Sequence, residues 1–504
     1  MTQQEGARNT SIRREIAIGA TWMLAFKLTE RLLSLVSTVI LARMLLPADF
    51  GIVAMAMSLA TILELLTLFS FDIALIQRRE VKREHLDTAW TFNIVFSVLV
   101  FVLMIGLAEA AADFYREPSI KAVIYVLAAA WLIQGFENIG IVDFRREMQF
   151  EKEYRFQAIK KLAGVLVTVP LAIALRSYWA LVIGIVASRG ISVLLSYQMH
   201  SFRPRLSLAG TRDLFGFSGW LLLNNILSFF NQRASDFVVG RLAGAQALGL
   251  YNISFEISNM PTTEIAAPIN RAMLPGYTKI ARENGQLGQT YLETVGAMAM
   301  FTVPAGLGIA AIADPLVRVL LGANWIDAIP LIQILGICGA VASIGNNTGS
   351  ALIALGAPTA VTVLWIVRLT VLLPALVVAT QEWGITGAAW AVFAISVIIT
   401  PVNFAVILPR LRIPVRQILA QLWRPLTASA SMYYLVAETI GQLNTLGFHF
   451  AFVQLVIAML VGAIAYAAII ALLWLLVGCP VGTESMVRDL VRSWLLRRRR
   501  VGPS

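Results

Sequence analysis

The chain reads as a succession of apolar stretches separated by short polar punctuation. Six such stretches run over 16–42, 50–76, 88–110, 122–142, 158–175 and 179–199. Six more follow at 214–240, 247–270, 291–312, 329–355, 359–380 and 384–408, and a final pair covers 425–440 and 450–477. Most match or exceed the ~20 residues that an α-helix needs to cross a bilayer. The pattern predicts an all-α polytopic membrane protein with about 14 transmembrane helices. The eighth stretch, interrupted by Pro261 and Pro268, is the least hydrophobic.

Composition narrows the class further. Of 504 residues, 58% are hydrophobic and only 14% are charged, against ~25% charged in ordinary soluble domains. A soluble multidomain enzyme and a disordered chain are both excluded. The two cysteines, Cys338 and Cys479, and three scattered histidines give no disulfide framework and no metal-ligand spacing. The chain holds no GxxxxGK[ST] phosphate loop, no HExxH and no Ser-His-Asp arrangement, and no predicted loop has room for a catalytic domain. It is not expected to be an enzyme or to need a cofactor.

The net charge of +11 would suggest a nucleic-acid partner in a soluble chain, but placement gives a different picture. Of the 40 Lys and Arg residues, 29 fall in the loops of one side, 6 on the other and 5 inside spans. The positive-inside bias puts both termini in the cytoplasm and leaves no nucleic acid to account for. The segment 484–500 places Val487, Leu490, Val491, Trp494 and Leu495 on one helical face ahead of four arginines. It reads as an amphipathic tail resting on anionic lipid, or simply as a topology-fixing cluster.

A shift of 198 residues aligns Trp22 with Trp220, Ser37 with Ser235, Arg43 with Arg241 and Gly51 with Gly249, without a gap. Parallel six-helix repeats are a common transporter plan, with the substrate site between the halves. The expected layout is a cytoplasmic N-terminus (1–15), a first lobe (16–200), a linker (201–213), a second lobe (214–408), two extra helices with their connection (409–477) and a basic tail (478–504).

The ionisable residues inside spans include Lys27, Glu30, Arg31, Glu64, Asp72, Glu137, Arg189, Arg233, Asp236, Glu256, Glu264 and Arg368. Each would cost ~3 kcal/mol facing lipid, so they pair or line a hydrated space. Lys27 and Arg31 project from one helical face at i,i+4, where two like charges repel unless an anion sits near them. Amide rows reinforce the theme. The seventh span carries Asn224 and Asn231, the eighth Asn252 and Asn259, and the tenth Asn346 between Gly345 and Gly349. Any single asparagine fits interhelical hydrogen bonding; together they fit a water-filled cavity. Such a cavity suits an anion attached to many hydroxyls, with amides replacing the water that a sugar loses. The acids either carry a coupling ion, Na⁺ or H⁺, or balance the arginines.

Four blocks sharpen this reading by resemblance. Arg43-Met-Leu-Leu-Pro-Ala-Asp-Phe-Gly51, Gly249-Leu-Tyr-Asn-Ile-Ser254, Leu274-Pro-Gly-Tyr-Thr278 and Asp314-Pro-Leu-Val-Arg-Val-Leu-Leu-Gly322 with Trp325 occur in order along the chain. In order and spacing they resemble the polysaccharide-transporter (oligosaccharide flippase) family of the multidrug/oligosaccharidyl-lipid/polysaccharide exporter superfamily. The branch serving colanic acid and succinoglycan is the most similar. The resemblance implies two six-helix bundles around a central cavity plus two C-terminal helices. It also implies alternating-access flipping of an undecaprenyl-diphosphate-linked oligosaccharide across the bacterial inner membrane, with a polysaccharide polymerase as a candidate partner.

On that reading Lys27 and Arg31, assisted by Arg233 or Arg368, hold the diphosphate. Asn224, Asn231, Asn252, Asn259 and Asn346 contact sugar, and Glu64, Asp236 or Glu256 answers to a coupling ion. Related lipid flippases carry cavity cations on the first, second and eighth helices. Lys27 and Arg31 match the first, but the second span offers Glu64 and Asp72 and the eighth Glu256 and Glu264. The rival readings are a cation-coupled drug antiporter of the same superfamily, a membrane polymerase or glycosyltransferase, and a non-transporting scaffold of the polysaccharide machinery.

Overall fold

The computed structural model describes residues 22, 25, 27, 29–65, 75, 81–211, 219–282, 286–448, 450–479, 483–484 and 488. Some residues within 219–282, Asn224 among them, are described by their backbone alone. The predicted N-terminal segment, Asp72 and most of the basic tail lie outside the described residues. Among those described, every regular element is a helix.

In chain order these are α1 (29–44), α2 (Pro47–Glu64), α3 (Arg83–Tyr115), α4 (Ser119–Gln134), the short α5 (Val142–Arg146), α6 (Phe150–Leu175) and α7 (Trp179–Met199). Then come α8 (Gly219–Arg282), α9 (Leu287–Ala311), α10 (Ala313–Leu320), α11 (Ala328–Gly345), α12 (Thr348–Ala354), α13 (Pro358–Leu411), α14 (Val415–Thr445) and α15 (Ala451–Leu476). Eight described helices, counting the broken α11–α12 as one, are long and apolar enough to cross a membrane. A ninth is added if α4 and the bent segment Ile139–Arg146 form one span.

Length alone makes α8 and α13 double. At 1.5 Å per residue the 54 residues of α13 would reach about 80 Å, far beyond a ~30 Å hydrocarbon core. The break falls at Trp383–Gly384, where Gly384 takes φ 59°. The 64-residue α8 breaks likewise at Gly244, φ 83°. Both are left-handed backbone positions that glycine fills without a Cβ penalty.

Several helices outrun their apolar windows. The span expected at 158–175 begins helically at Phe150, and the one at 425–440 extends over Val415–Thr445. Hydropathy marks the part of a helix that meets lipid, whereas its charged ends continue the same backbone ladder. Arg155 donating to Glu151 at 2.5 Å, one turn apart, supports the early turns of α6. The outward faces are apolar, with Leu166, Leu194 and Ile464 each more than 60% exposed, as lipid contact allows.

The chain forms two compact units, Met1–Gly249 and Leu250–Ser504. In the first, the block Leu46-Pro-Ala-Asp-Phe-Gly51 is a joint. Pro47 opens α2, a position where its missing N–H costs nothing. Asp49 caps that end by accepting from Leu46 N at 2.9 Å, and its other oxygen accepts from Tyr178 N at 2.9 Å, just before α7. Gly51 lies against the Ala245 carbonyl and Gly249 against that of Pro47; a Cβ on either glycine would stand 1.8 Å from the facing oxygen. Under the 198-residue shift Pro47 becomes 245 and Gly51 becomes 249. The contact is therefore reciprocal between positions that the shift aligns. Beside it, Tyr115 packs its ring on Gly240 and its hydroxyl meets Ser58 Oγ at 2.7 Å, while Arg241 donates to the Asp113 carbonyl at 3.3 Å.

The second unit is organised around α9, α11 and α14. Tyr277, Tyr291, Val295, Ile344, Leu352 and Ile407 share one buried cluster. Tyr291 Oη meets Thr348 Oγ1 at 3.0 Å, Thr302 Oγ1 meets Ser343 Oγ at 2.6 Å, and the Asn347 amide donates to Tyr277 Oη. These bonds hold the interruption between α11 and α12, where freed backbone groups would otherwise be unsatisfied in hydrocarbon. Beyond α15 the chain turns back. Glu484 pairs with Arg424 at 3.2 Å, both less than 10% exposed, and Arg488 lies over Trp474 at 5.5 Å.

Candidate functional site

The first unit gathers three of its intraspan charges, Glu64, Glu137 and Arg189, in one network around α2, α4 and α7. The Arg189 guanidinium lies over the Trp131 ring, 3.4 Å from its centroid. Trp131 Nε1 donates to Glu64 Oε1 at 2.7 Å, and the same oxygen is 3.9 Å from Arg189 Nη2. Arg189 also donates to the Gln134 side-chain oxygen, and one turn on, Ser192 Oγ donates to Glu137 at 2.7 Å. The cation is thus satisfied on several sides by an aromatic face, an amide and a carboxylate. Glu64, read from sequence as a coupling-ion candidate, serves here as counter-charge to Arg189.

Lys27, just ahead of α1, is exposed, and Arg31 on α1 is part-buried, with Glu30 exposed beside it. Their i,i+4 placement follows directly from the helix, which Thr29 ties towards α6 through Tyr154 Oη at 3.4 Å. Arg233 and Asp236 meet as an i,i+3 pair at 3.1 Å, with Asp236 8% and Arg233 53% exposed. Asn231 is buried and turns its amide to the Leu227 carbonyl at 2.9 Å. The side chain of Asn224 is outside the described set.

In the second unit, Asn252 and Asn259 are part-buried on α8 and Glu256 is exposed. Asn259 donates to the Phe255 carbonyl at 3.1 Å, a bond within its own helix. Asn346 and Arg368, although 22 positions apart, line one cavity of about 90 Å³ at the α11–α12 break, together with Thr348, Trp365 and Asn403. Sequence reasoning named neither Trp365 nor Asn403. The available signal was Trp365 one turn before Arg368, on the same helical face. Asn403 carried none, because its approach depends on Gly345: a Cβ there would lie 3.1 Å from the Asn403 amide nitrogen.

The sequence-predicted residues therefore fall into separate groups. Arg233 joins Asp236, Glu64 joins Arg189, and Asn346 joins Arg368. Among the described residues, no group of His, Cys, Asp and Glu is placed to hold a metal ion.

Interrupted helices and satisfied polar clusters inside apolar spans define the class: a multi-pass inner-membrane protein with a transporter fold. A solved structure described as "Lipid II flippase MurJ, inward closed conformation" shares that fold, with a TM-score of 0.71, 12% identity, and 90% of this chain and 99% of that one covered. The model of the family described as "Polysaccharide biosynthesis protein" matches residues 40–330, more than half of the chain, and the chain belongs to that family. It is similar to the lipopolysaccharide biosynthesis protein WzxC of Escherichia coli (strain K12), 25% identical over 82% of this chain and 85% of that one. It is also similar to the succinoglycan biosynthesis transport protein ExoT of Rhizobium meliloti (strain 1021), 21% identical over 60% of this chain and 62% of that one.

Proposed function

We propose that the protein is a flippase that carries a polyprenyl-diphosphate-linked oligosaccharide repeat unit across the bacterial inner membrane by alternating access, for exopolysaccharide or lipopolysaccharide synthesis. Family membership, the fold shared with a lipid II flippase and the similarity to a succinoglycan transport protein all support the substrate class. The observation that carries the reading is the cation pair at the start of α1. Lys27 is exposed, one turn ahead of part-buried Arg31, so two cations stand at i,i+4. A diphosphate satisfies both through charge-assisted hydrogen bonds. Arg233, more than half exposed despite its pairing with Asp236, is the candidate to assist. Asn224, Asn231, Asn252 and Asn259 are the proposed hydroxyl partners along α8.

Both termini are assigned to the cytoplasm on the distribution of Lys and Arg among the loops. The engagement of Glu64 and Asp236 by arginines weakens the drug-antiporter alternative, whose cationic substrates need uncommitted acids. Glu256, exposed on α8, is left as the acid best placed to answer to Na⁺ or H⁺. The test is the double substitution Lys27→Gln/Arg31→Gln in cells lacking the native gene. Polymer export is expected to fall by at least about tenfold, the loss of one charged hydrogen bond or more, with unchanged protein in the membrane. Export at the wild-type level would reject the role of the pair.

A further inference from the structure

Arg368 enters a cavity that no carboxylate lines, and its Nε is closed off from solvent without a hydrogen-bond partner. A guanidinium half inside a protein and inside a membrane is costly unless an anion meets it. The other polar groups that line the cavity are neutral: the amides of Asn346 and Asn403, the hydroxyl of Thr348 and the indole of Trp365. That wall repels no anion and attracts no cation. The helix interruption at Asn346–Asn347 belongs to the same wall, and Asn346 itself is exposed.

The cavity of about 90 Å³ has room for a single carboxylate, since about 10–15 Å³ by this measure already holds one water. The planar guanidinium offers a carboxylate two parallel N–H donors, and the flanking amides can take hydroxyls of the ring that bears it.

We propose that the α11–α13 cavity is a subsite for one carboxylate of the glycan, and that Arg368 makes the protein select acidic repeat units over neutral ones. This rests on the flippase reading and deepens it, because it moves Arg368 from the diphosphate to the sugar. The diphosphate stays with Lys27 and Arg31.

The experiment has a binding arm and a transport arm, both on the purified full-length protein. In detergent, thermal unfolding is followed with glucuronate, glucose or chloride added to the wild type, Arg368→Gln and Arg368→Lys. Glucuronate is expected to raise the wild-type midpoint in a concentration-dependent way, glucose not to, and Arg368→Gln to abolish the shift while Arg368→Lys keeps a weakened one. No shift with glucuronate, or an equal shift in Arg368→Gln, overturns the assignment. An equal shift with chloride also overturns it, because the site then takes free anions rather than a sugar acid.

In liposomes, flipping of a polyprenyl-diphosphate oligosaccharide bearing a uronate is compared with its carboxyl-reduced form. Arg368→Gln is expected to slow the uronate form about 10- to 100-fold, the worth of a charged hydrogen bond, and to leave the neutral form within about twofold. Equal slowing of both forms contradicts a role in selection. Wild-type protein that binds glucuronate but moves neither lipid refutes the flippase reading and leaves the carboxylate site standing.

Discussion

Arg189 in the first unit and Arg368 in the second are both arginines placed inside apolar helices, each beside a tryptophan, and they are treated in opposite ways. Arg189 is stacked on Trp131, paired with Glu64 and bonded to Gln134. Arg368 enters a small cavity of neutral polar groups with its Nε unsatisfied. A buried charge with its partners supplied from the same protein is a structural cross-brace, and removing one member leaves the others stranded. A buried charge without them lowers stability, and a ligand is what recovers the loss. The contrast sets a charge that holds helices together apart from the one proposed to meet substrate.

The largest effect comes from deleting each cation in turn. Arg189→Leu is expected to destabilise the protein by about 3 kcal/mol, since it removes the stacking and strands Glu64. Arg368→Leu should leave the unfolding midpoint unchanged or raise it. Detergent melting curves of the two variants make the comparison, and equal destabilisation would erase the distinction. A smaller change converts one site into the other. Asn403→Asp adds a carboxylate to the wall of the Arg368 cavity and should stabilise the protein by about 1–2 kcal/mol while abolishing the glucuronate response. An unchanged response would mean that Arg368 does not govern the cavity.

The smallest change loosens the first network without removing charge. Trp131→Phe keeps an aromatic face under Arg189 but loses the 2.7 Å hydrogen bond to Glu64, a cost of about 1 kcal/mol. A loss as large as that of Arg189→Leu would show that the indole N–H, rather than the cation, organises the network.

Much of the fold is legible in the sequence because lipid-facing helices must be apolar over fixed lengths; the break at Gly244 falls between two predicted spans and that at Trp383–Gly384 falls where the twelfth begins. The blocks that carried the family resemblance prove to be joints. Asp49 caps two helix starts, Gly51 and Gly249 touch backbone, Tyr277 bonds the α11–α12 break, and Gly322, φ 93°, follows α10 ahead of fully buried Trp325. Substrate residues are harder to read. Ser188 and Ser192 are the sequence neighbours of Arg189, yet Ser192 bonds Glu137 and Ser188 faces the Lys160 carbonyl at 3.4 Å. The arginine's own partners come from other helices. Which faces meet depends on the rotation and tilt of each helix, which are set by packing rather than by the period of its apolar residues. Asn403 reaches the Arg368 cavity for that reason and was invisible beforehand.

The central claim is that this protein moves a lipid-linked oligosaccharide between leaflets. Its most direct test is reconstitution of the purified chain into liposomes carrying a fluorescent polyprenyl-diphosphate oligosaccharide, with a membrane-impermeant quencher added outside. The account predicts that quenching proceeds beyond the outer-leaflet fraction in vesicles with wild-type protein, and stops there with Lys27→Gln/Arg31→Gln. Quenching that halts at the outer leaflet with wild-type protein, as in protein-free vesicles, would contradict it.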